Sequence, residues 1–411
     1  MIGLCDCNTF YASCEKLFRP DLRNKPIVIL SNNDGCIVSL SNEAKKLNIK
    51  RGMPYFKYKD LLIQNNVEVF SSNYTLYQDI SDRVMNCLQS TVGKISPYSI
   101  DEAFFIMPES LTPEEIRKTI LKDIGIEVSI GVARTKTLAK IANKIGKTLE
   151  SNCLYLKPEW EEKALLKTEV GKVWGIGRNK AKFLKAHNVH NAYELIQKNE
   201  LWIKKNLSIT TFETVKELKG IPCITIENPK NKYICSGITF SKPRTSIEEL
   251  EEAIACHCTI IGEKLIEKNL SAQSLSLNIF TNRFEENYIS PISTIFLKEP
   301  TNYIPNLIIA TKAILNKIYK EDKYKGCRIW ATELSQSNYR QLNLFDSAQH
   351  NELLKKQDKL AKVVNEISKA YGRTKIASGA TNKLEKNNLQ ARNKLSPRYT
   401  TKWDEIPIVK L

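Results

Sequence analysis

The sequence predicts a multidomain α+β protein with a polar C-terminal tail, and three observations carry that expectation. Strand and helix signals alternate over the first 165 residues, the strand signal disappears from about Thr168 to Leu218, and it returns at Tyr233. At roughly 100–200 residues per domain, 411 residues allow about two to four domains with ample core.

The elements follow in order. Ile2-Gly3-Leu4-Cys5-Asp6 reads as a buried strand that ends on an acid, and Phe10-Tyr11-Ala12-Ser13-Cys14 opens a helix. Pro26 to Leu30 is a β-branched run, Asn32-Asn33-Asp34-Gly35 is turn chemistry, and Ile37-Val38-Ser39-Leu40 resumes a strand before a helix from Asn42 to Leu47. Val67–Phe70, Ala103–Met107 and Glu127–Val132 read as further strands, the last ahead of a helix from Lys136 to Gly146. Lys172 to Leu218 reads as short helices. Tyr233–Ser236, Ser274–Phe280 and Ile329–Leu334 alternate with two long helical stretches, which suggests a small βαβ-type module. After Ser335 the chain turns polar, with one amphipathic helix from Glu352 to Ala370.

The hydrophobic fraction of 42% and charged fraction of 26% are those of a globular protein. No uninterrupted apolar run reaches the ~18 residues of a spanning helix, so no membrane role is expected. The N-terminus lacks a basic n-region and carries an acid where a signal core is apolar, so a cytoplasmic location is expected. The 11 cysteines are scattered, with no Cys-x-x-Cys pair, and read as buried reduced thiols. The net charge of +17 is uneven: residues 1–110 are neutral, 111–230 carry +8, 231–346 carry +1 and 347–411 carry +8. Nucleic acid, an anionic surface and a generally basic proteome all fit the sum.

Asp6 and the pair Asp101-Glu102 are the most informative residues. Adjacent acids in Tyr98-Ser99-Ile100-Asp101-Glu102-Ala103-Phe104-Phe105 sit among apolar residues, where uncompensated carboxylates are costly. Three acids from two strands are the minimum for a two-ion Mg²⁺ site; a helix cap or a surface turn is the plainer alternative.

Asp6-x-Asn8-x-Phe10-Tyr11-Ala12-Ser13-Cys14-Glu15, Ser31-Asn32-Asn33-Asp34-Gly35-Cys36 and Tyr98-Ser99-Ile100-Asp101-Glu102 together resemble the motifs of the Y-family DNA polymerases. The match is collinear along the whole chain and is most similar to the UmuC-type branch. The resemblance implies a right-hand polymerase fold: palm 1–10 and 71–165, fingers 11–70, helical thumb 166–232, little finger 233–346 and a UmuC-type tail 347–411. It implies error-prone translesion DNA synthesis in the SOS response, by two-metal nucleotidyl transfer. Asp6, Asp101 and Glu102 would hold two Mg²⁺ ions, with the backbone carbonyl of Cys7 as a further ligand. Tyr11 matches the steric gate that excludes a 2′-hydroxyl, although it could also be ordinary helix-start core. Cys7, Phe10, Ser39, Lys45 and Lys147 fall at nucleotide-binding positions. Many relatives carry Thr and Tyr where this chain has Ser39 and Asn42, which predicts weak dNTP affinity.

Val173-Trp174-Gly175-Ile176-Gly177, followed by Lys180 and Lys182, resembles the hairpin of a helix–hairpin–helix, whose Gly175 and Gly177 let backbone N–H groups reach a DNA phosphate. A plain Gly-x-Gly turn is the alternative. Lys242, Arg244 and Arg283 are candidate template contacts. Gln341, Leu342, Leu344 and Phe345, in Gln341-Leu342-Asn343-Leu344-Phe345-Asp346, resemble a sliding-clamp-binding peptide. The C-terminal stretch Leu395–Trp403 matches UmuC-type chains, which implies a UmuD-type accessory dimer and a RecA filament as partners beside primer-template DNA and dNTP. A basic arm that adds DNA affinity is the simpler account of the tail. The rival functions are a catalytically idle clamp- and DNA-binding accessory subunit and a metal-dependent nuclease.

Overall fold

Burial of the first strand on both of its faces sets the architecture of the N-terminal half. In the computed structural model, which describes residues 1–225, 232–337, 348–371 and 392–406 together with residues 376 and 379, the chain forms two units. One comprises Met1–Glu227 with Arg392–Leu411, the other Asn228–Ala391.

The first unit starts with β1 (Ile2–Cys7), α1 (Phe10–Phe18), β2 (Ile27–Leu30), β3 (Ile37–Leu40), α2 (Asn42–Lys46), α3 (Tyr55–Gln64) and β4 (Glu68–Ser71). It continues through α4 (Tyr74–Val92), β5 (Ile95–Pro97), β6 (Glu102–Ile106), α5 (Pro113–Ile124), β7 (Val128–Ala133), α6 (Lys136–Gly146) and β8 (Cys153–Tyr155). The helices α7 (Pro158–Lys167), α8 (Arg178–Ala186), α9 (Ala192–Gln197), α10 (Glu200–Asn206) and α11 (Ile209–Leu218) complete it.

Two sheets result, a five-stranded one ordered β5-β6-β1-β7-β8 and a three-stranded one ordered β3-β2-β4. Side chains alternate across a strand, so each face of the large sheet has its own core. Cys5, Ala103, Phe105 and Ile130 join residues of α4 and α5. Leu4 and Phe104 join α6 and the helices beyond it. The α6 helix can lie close because Gly131 lacks a side chain: a Cβ there would come within 2.0 Å of the Asn143 nitrogen. Asn143, itself buried, donates to the Ser129 carbonyl at 2.7 Å and fixes the rotation of α6 on the sheet. At the other end of α6, the buried Glu217 of α11 accepts from the Thr137 N–H at 2.8 Å and from the Cys223 and Ile224 N–H groups. A carboxylate at a helix N-terminus satisfies groups that have no intrahelical partner.

The second unit contains β9 (Tyr233–Arg244), α12 (Ile247–Glu267), β10 (Leu270–Phe280), β11 (Ile292–Thr301), α13 (Ile304–Ile318), β12 (Tyr324–Gln336) and α14 (Ala348–Tyr371). Its sheet is ordered β11-β10-β12-β9 with every neighbouring pair antiparallel. The expected βαβ-type module is therefore a split one, with β12 inserted between the parallel strands β9 and β10. β11 carries no clear strand signal in the sequence. That strand lies at the sheet edge, where Ile292 and Phe296 are exposed and Thr and Ser dilute the apolar alternation. The apolar core lies between the sheet and α12 with α13. His257 is buried there, its Nδ1 2.8 Å from Ser236 Oγ. None of the 11 cysteines is in a disulfide. Among the described residues no helix is long and apolar enough to cross a membrane.

Candidate active site

Asp6 and Glu102 stand directly opposite each other across the antiparallel pair β1–β6. Opposed residues on one face lie roughly 5 Å apart at their Cβ atoms, so like charges there repel. Each carboxylate has its own lysine from α6 and the residue that caps it. Lys147 Nζ lies 2.5 Å from Asp6 Oδ1, and Lys140 Nζ lies 2.7 Å from Glu102 Oε2. Lys140, Lys144 and Lys147 recur at helical spacing, which puts all three on the face that α6 turns toward these acids. They line a cleft of about 280 Å³ with Asp6, Glu102 and Lys172. Burial pushes the Asp6 carboxyl up to about 6; Lys147 opposes that shift and Glu102 adds to it.

Asp101 belongs to the other side of the strand end. Its carbonyl accepts from the Cys7 N–H at 2.9 Å, and its carboxylate accepts from Ser99 Oγ at 2.5 Å. Asp101 acts electrostatically on Tyr11, which burial and the neighbouring Tyr74 push above its usual range. Between Asp6 and Tyr11 the chain turns on Thr9 at φ +47°, a left-handed conformation rarely adopted by a β-branched residue. Ser13 Oγ closes the turn by donating to the Asn8 carbonyl at 2.7 Å, and Ser129 Oγ holds the Asn8 side chain at 2.8 Å. The Tyr11 ring stacks on Tyr77, with centroids 4.5 Å apart and planes 15° apart, while Tyr74 meets both edge-on.

The donor set Asp6, Asp101 and Glu102 is all carboxylate oxygen, the chemistry a hard divalent cation prefers, and a buried carboxylate with a raised pKa gains from such a cation. It is not preassembled: among the described residues no three acidic, His or Cys groups converge on one point. Cys7 and Phe10 are buried, so only their backbone is available to a ligand. Ser39 is also buried, and its Oγ has no hydrogen-bond partner among the described residues. Lys45 accepts no such isolation: it donates to Asn42 Oδ1 at 2.9 Å, so the Asn at that position engages the lysine. Burial and the charges of Arg51 and Lys147 lower the pKa of Lys45, which makes Arg51 a third cation of the same neighbourhood.

These sequence features have known counterparts. The profile of the impB/mucB/samB family matches residues 5–144, and that of the family's C-terminal domain matches 231–344. Protein UmuC of Salmonella typhimurium is 35% identical over the full length of both chains, and Protein ImpB of the same species is 34% identical over the same extent. The chain belongs to the impB/mucB/samB family. DNA polymerase IV 1 of Bacillus subtilis is 26% identical over 92% of each chain. A Y-family DNA polymerase chimera of Dbh and Dpo4 superposes with a TM-score of 0.66 at 20% identity, covering 81% of this chain and 99% of its own. An insertion ternary complex of Dbh DNA polymerase gives a TM-score of 0.56 over 81% and 98%. The fold is the right-hand fold of the Y-family polymerases. Residues 358–409 match a further family domain of unknown function.

The turn at 173–177 reaches this site. Gly175 adopts φ +82°, as a tight turn requires, and Gly177 has open space where a side chain would be. Trp174, between them and Val173, donates from Nε1 to the Tyr98 hydroxyl at 3.0 Å. With Tyr98 and Phe104 it surrounds Lys140, whose ammonium lies 4.6 Å from the Tyr98 centroid and 5.4 Å from that of Trp174. Such cation–π contacts orient a lysine that already pairs with Glu102. Lys180 is spent on Ser208 Oγ at 2.9 Å and Thr211 Oγ1 at 2.8 Å, whereas Lys182 is exposed. Lys242 is exposed and Arg244 pairs with Glu249 at 2.6 Å. Gln341, Leu342, Leu344 and Phe345 lie outside the described residues. Sequence reasoning missed Lys140, Asn143 and Arg51; the Lys-x-x-x-Lys-x-x-Lys spacing beside the acids was the available signal for the first.

Proposed function

We propose that this chain is a template-directed, error-prone DNA polymerase that copies damaged templates in the SOS response. The observation that carries the reading is the opposed pair Asp6–Glu102, with Asp101 at the same strand end and Tyr11 in the first turn of the next helix, in a chain of this family. The substrates are primer-template DNA and dNTP. The primer 3′-hydroxyl attacks the dNTP α-phosphate and releases pyrophosphate.

Asp6, Asp101 and Glu102, with the Cys7 carbonyl, would hold two Mg²⁺ ions. Divalent ions bound there supply Lewis acidity to the attacking hydroxyl and to the departing phosphate oxygen. The chain's own residues do the rest. Lys45, Lys147 and Arg51 neutralise the triphosphate, and the Tyr11 ring excludes a ribose 2′-hydroxyl. The Ser39 hydroxyl, without a hydrogen-bond partner among the described residues, supports a role toward a phosphate oxygen.

The domain limits follow the family: palm 1–10 and 71–165, fingers 11–70, thumb 166–232, little finger 233–346. The Gly175–Gly177 turn and Lys182 track the DNA backbone, joined by Lys242 and Arg244. The 341–346 peptide engages the sliding clamp, and the C-terminal region serves a UmuD-type dimer and a RecA filament on cytoplasmic DNA. A binding-only subunit is disfavoured, because such a protein gains nothing from burying Asp6 opposite Glu102.

Primer extension across an abasic template with Mg²⁺ tests the reading. Extension by the wild type, with clamp and accessory dimer supplied, and none by Asp101→Ala is the expected result. A wild type that fails to extend under those conditions overturns it.

A further inference from the structure

The segment from Asn393 to Tyr399 lies nearly 380 positions from α1 in sequence, yet it is built into the same unit. It enters along β4, the open edge of the three-stranded sheet. Asp34 anchors the entry, accepting from Ser71 Oγ at 2.7 Å and from the Asn393 N–H at 3.0 Å. The Ser71 N–H donates to the Lys394 carbonyl at 2.9 Å, the Lys394 N–H returns to Ser71 Oγ at 3.0 Å, and Leu395 bridges Ser71 in parallel. Asn73 then grips the next two residues: its Nδ2 donates to the Ser396 carbonyl and hydroxyl and to the Pro397 carbonyl, at 3.0–3.2 Å. The same side chain caps α4 through its Oδ1. Tyr399 finishes the contact by stacking on Phe18 of α1 at 4.7 Å.

Ser396 is the link to the site. Its hydroxyl donates to Glu15 Oε1 at 3.0 Å, and the same oxygen accepts from the Tyr77 hydroxyl at 2.7 Å. Glu15 and Tyr77 are fully buried, and Ser396 and Asn73 nearly so. Tyr77 is the ring on which Tyr11 stacks. The strap therefore covers a buried carboxyl and supplies one of the two hydroxyls that fix it; that carboxyl fixes Tyr77; Tyr77 backs Tyr11. Without the strap, water reaches Glu15 and its rotamer is no longer determined, so the backing of Tyr11 loosens.

Excluding one oxygen atom of a sugar requires the excluding ring to be held within about 0.5 Å. We infer that the strap Asn393–Tyr399 is a positioning element of the sugar gate, with Ser396 and Asn73 acting on ribose discrimination through Glu15 and Tyr77. This rests on the reading of Tyr11 as that gate. It gives a role to part of the segment 358–409, whose family domain carries none.

The test is single-nucleotide extension by the full-length protein, comparing ribo- and deoxynucleotide incorporation. The variants are Ser396→Ala, Ser396→Thr, Asn73→Asp and Tyr11→Ala. Asn73→Asp keeps the helix-capping oxygen and removes the amide donors, so it spares α4. A loosened gate is expected to raise the ribo/deoxy ratio about tenfold in Ser396→Ala and Asn73→Asp, since a misplacement near 1 Å changes rates by up to ~100-fold. Ser396→Thr retains the hydroxyl and keeps the wild-type ratio. Tyr11→Ala raises the ratio further, and adding Ser396→Ala to it changes nothing more. An unchanged ratio in Ser396→Ala and Asn73→Asp, with a raised one in Tyr11→Ala, overturns the strap's role and leaves the gate standing. An equal loss of both activities in the strap variants also overturns it, as a merely structural effect. An unchanged ratio in Tyr11→Ala overturns the gate and the inference with it.

Discussion

Lys140 donates to Glu102 at 2.7 Å while its ammonium sits over the Tyr98 ring, so one lysine joins the carboxylate pair to the Trp174 hairpin. Both partners are mostly buried, which makes the pair costly to break from one side: removing one member of such a pair leaves a charge facing Asp6 with no compensation. Lys140→Met should therefore lower stability by about 2 kcal/mol when divalent ions are chelated. Saturating Mg²⁺ should recover most of that loss by taking over the charge of Glu102. Thermal melts in chelator and in Mg²⁺ check this; an identical loss in both conditions would contradict the assignment of Glu102 to a cation.

Asp6 carries the pH dependence of the same site. Its folded carboxyl lies near 6 against an ordinary 3.8, so between those values the folded chain holds a proton that the unfolded chain has released. Stability from this group is lost as pH rises through about 6. Divalent ions bind the ionised carboxylate, so their binding strengthens over the same interval. The rise in Tm caused by Mg²⁺ should grow between pH 5 and 7.5 and vanish in Asp6→Asn. A rise that is independent of pH, or that survives Asp6→Asn, places the ion elsewhere.

Glu15 offers a cleaner titration. Burial lifts its carboxyl to about 7 against an ordinary 4.5, although the Tyr77 and Ser396 hydroxyls favour the ionised form. The unfolded chain ionises first, so stability falls from pH 4.5 and levels off above 7. Glu15→Gln keeps an oxygen acceptor for both hydroxyls and removes the charge. It should match the wild type at pH 4 and exceed it at pH 8 by up to about 3 kcal/mol. Urea unfolding at the two pH values measures the difference, and equal stabilities at pH 8 would show that Glu15 is not desolvated.

The candidate carboxylates were legible in the sequence because the strand signal around each one is local. Asp6 closes an apolar strand and Asp101-Glu102 opens another, so period-2 alternation alone sets their faces. The lysines of α6 were less so. Their pairing with the acids depends on Gly131 letting that helix approach, a packing fact that no spacing encodes. β11 escaped because an edge strand has one weakly buried face, and β9, β10 and β12 extend beyond their apolar cores. The strap was illegible: Asn393 to Tyr399 has neither period, and it docks through backbone groups and short polar side chains. Its partners Asp34, Ser71, Asn73 and Glu15 are some 320 to 380 residues away.

Two lysines of the first basic block separate along the same line. Lys180 and Lys182 look equivalent in sequence, yet Lys180 ties α8 to α11 through Ser208 and Thr211 while Lys182 is exposed. An exposed lysine on a phosphate releases about one counterion, so its loss weakens DNA binding and reduces the salt slope by about one. Lys182→Ala should therefore lower primer-template affinity severalfold at low salt and flatten its dependence on salt, with little change in Tm. Lys180→Ala should lower Tm, because two hydroxyls lose their donor, and leave the salt slope near that of the wild type. Anisotropy titrations across a salt series, paired with melts, distinguish the two. A reduced slope in Lys180→Ala with an unchanged one in Lys182→Ala would reverse the assignment and move the phosphate contact to the buried face of α8.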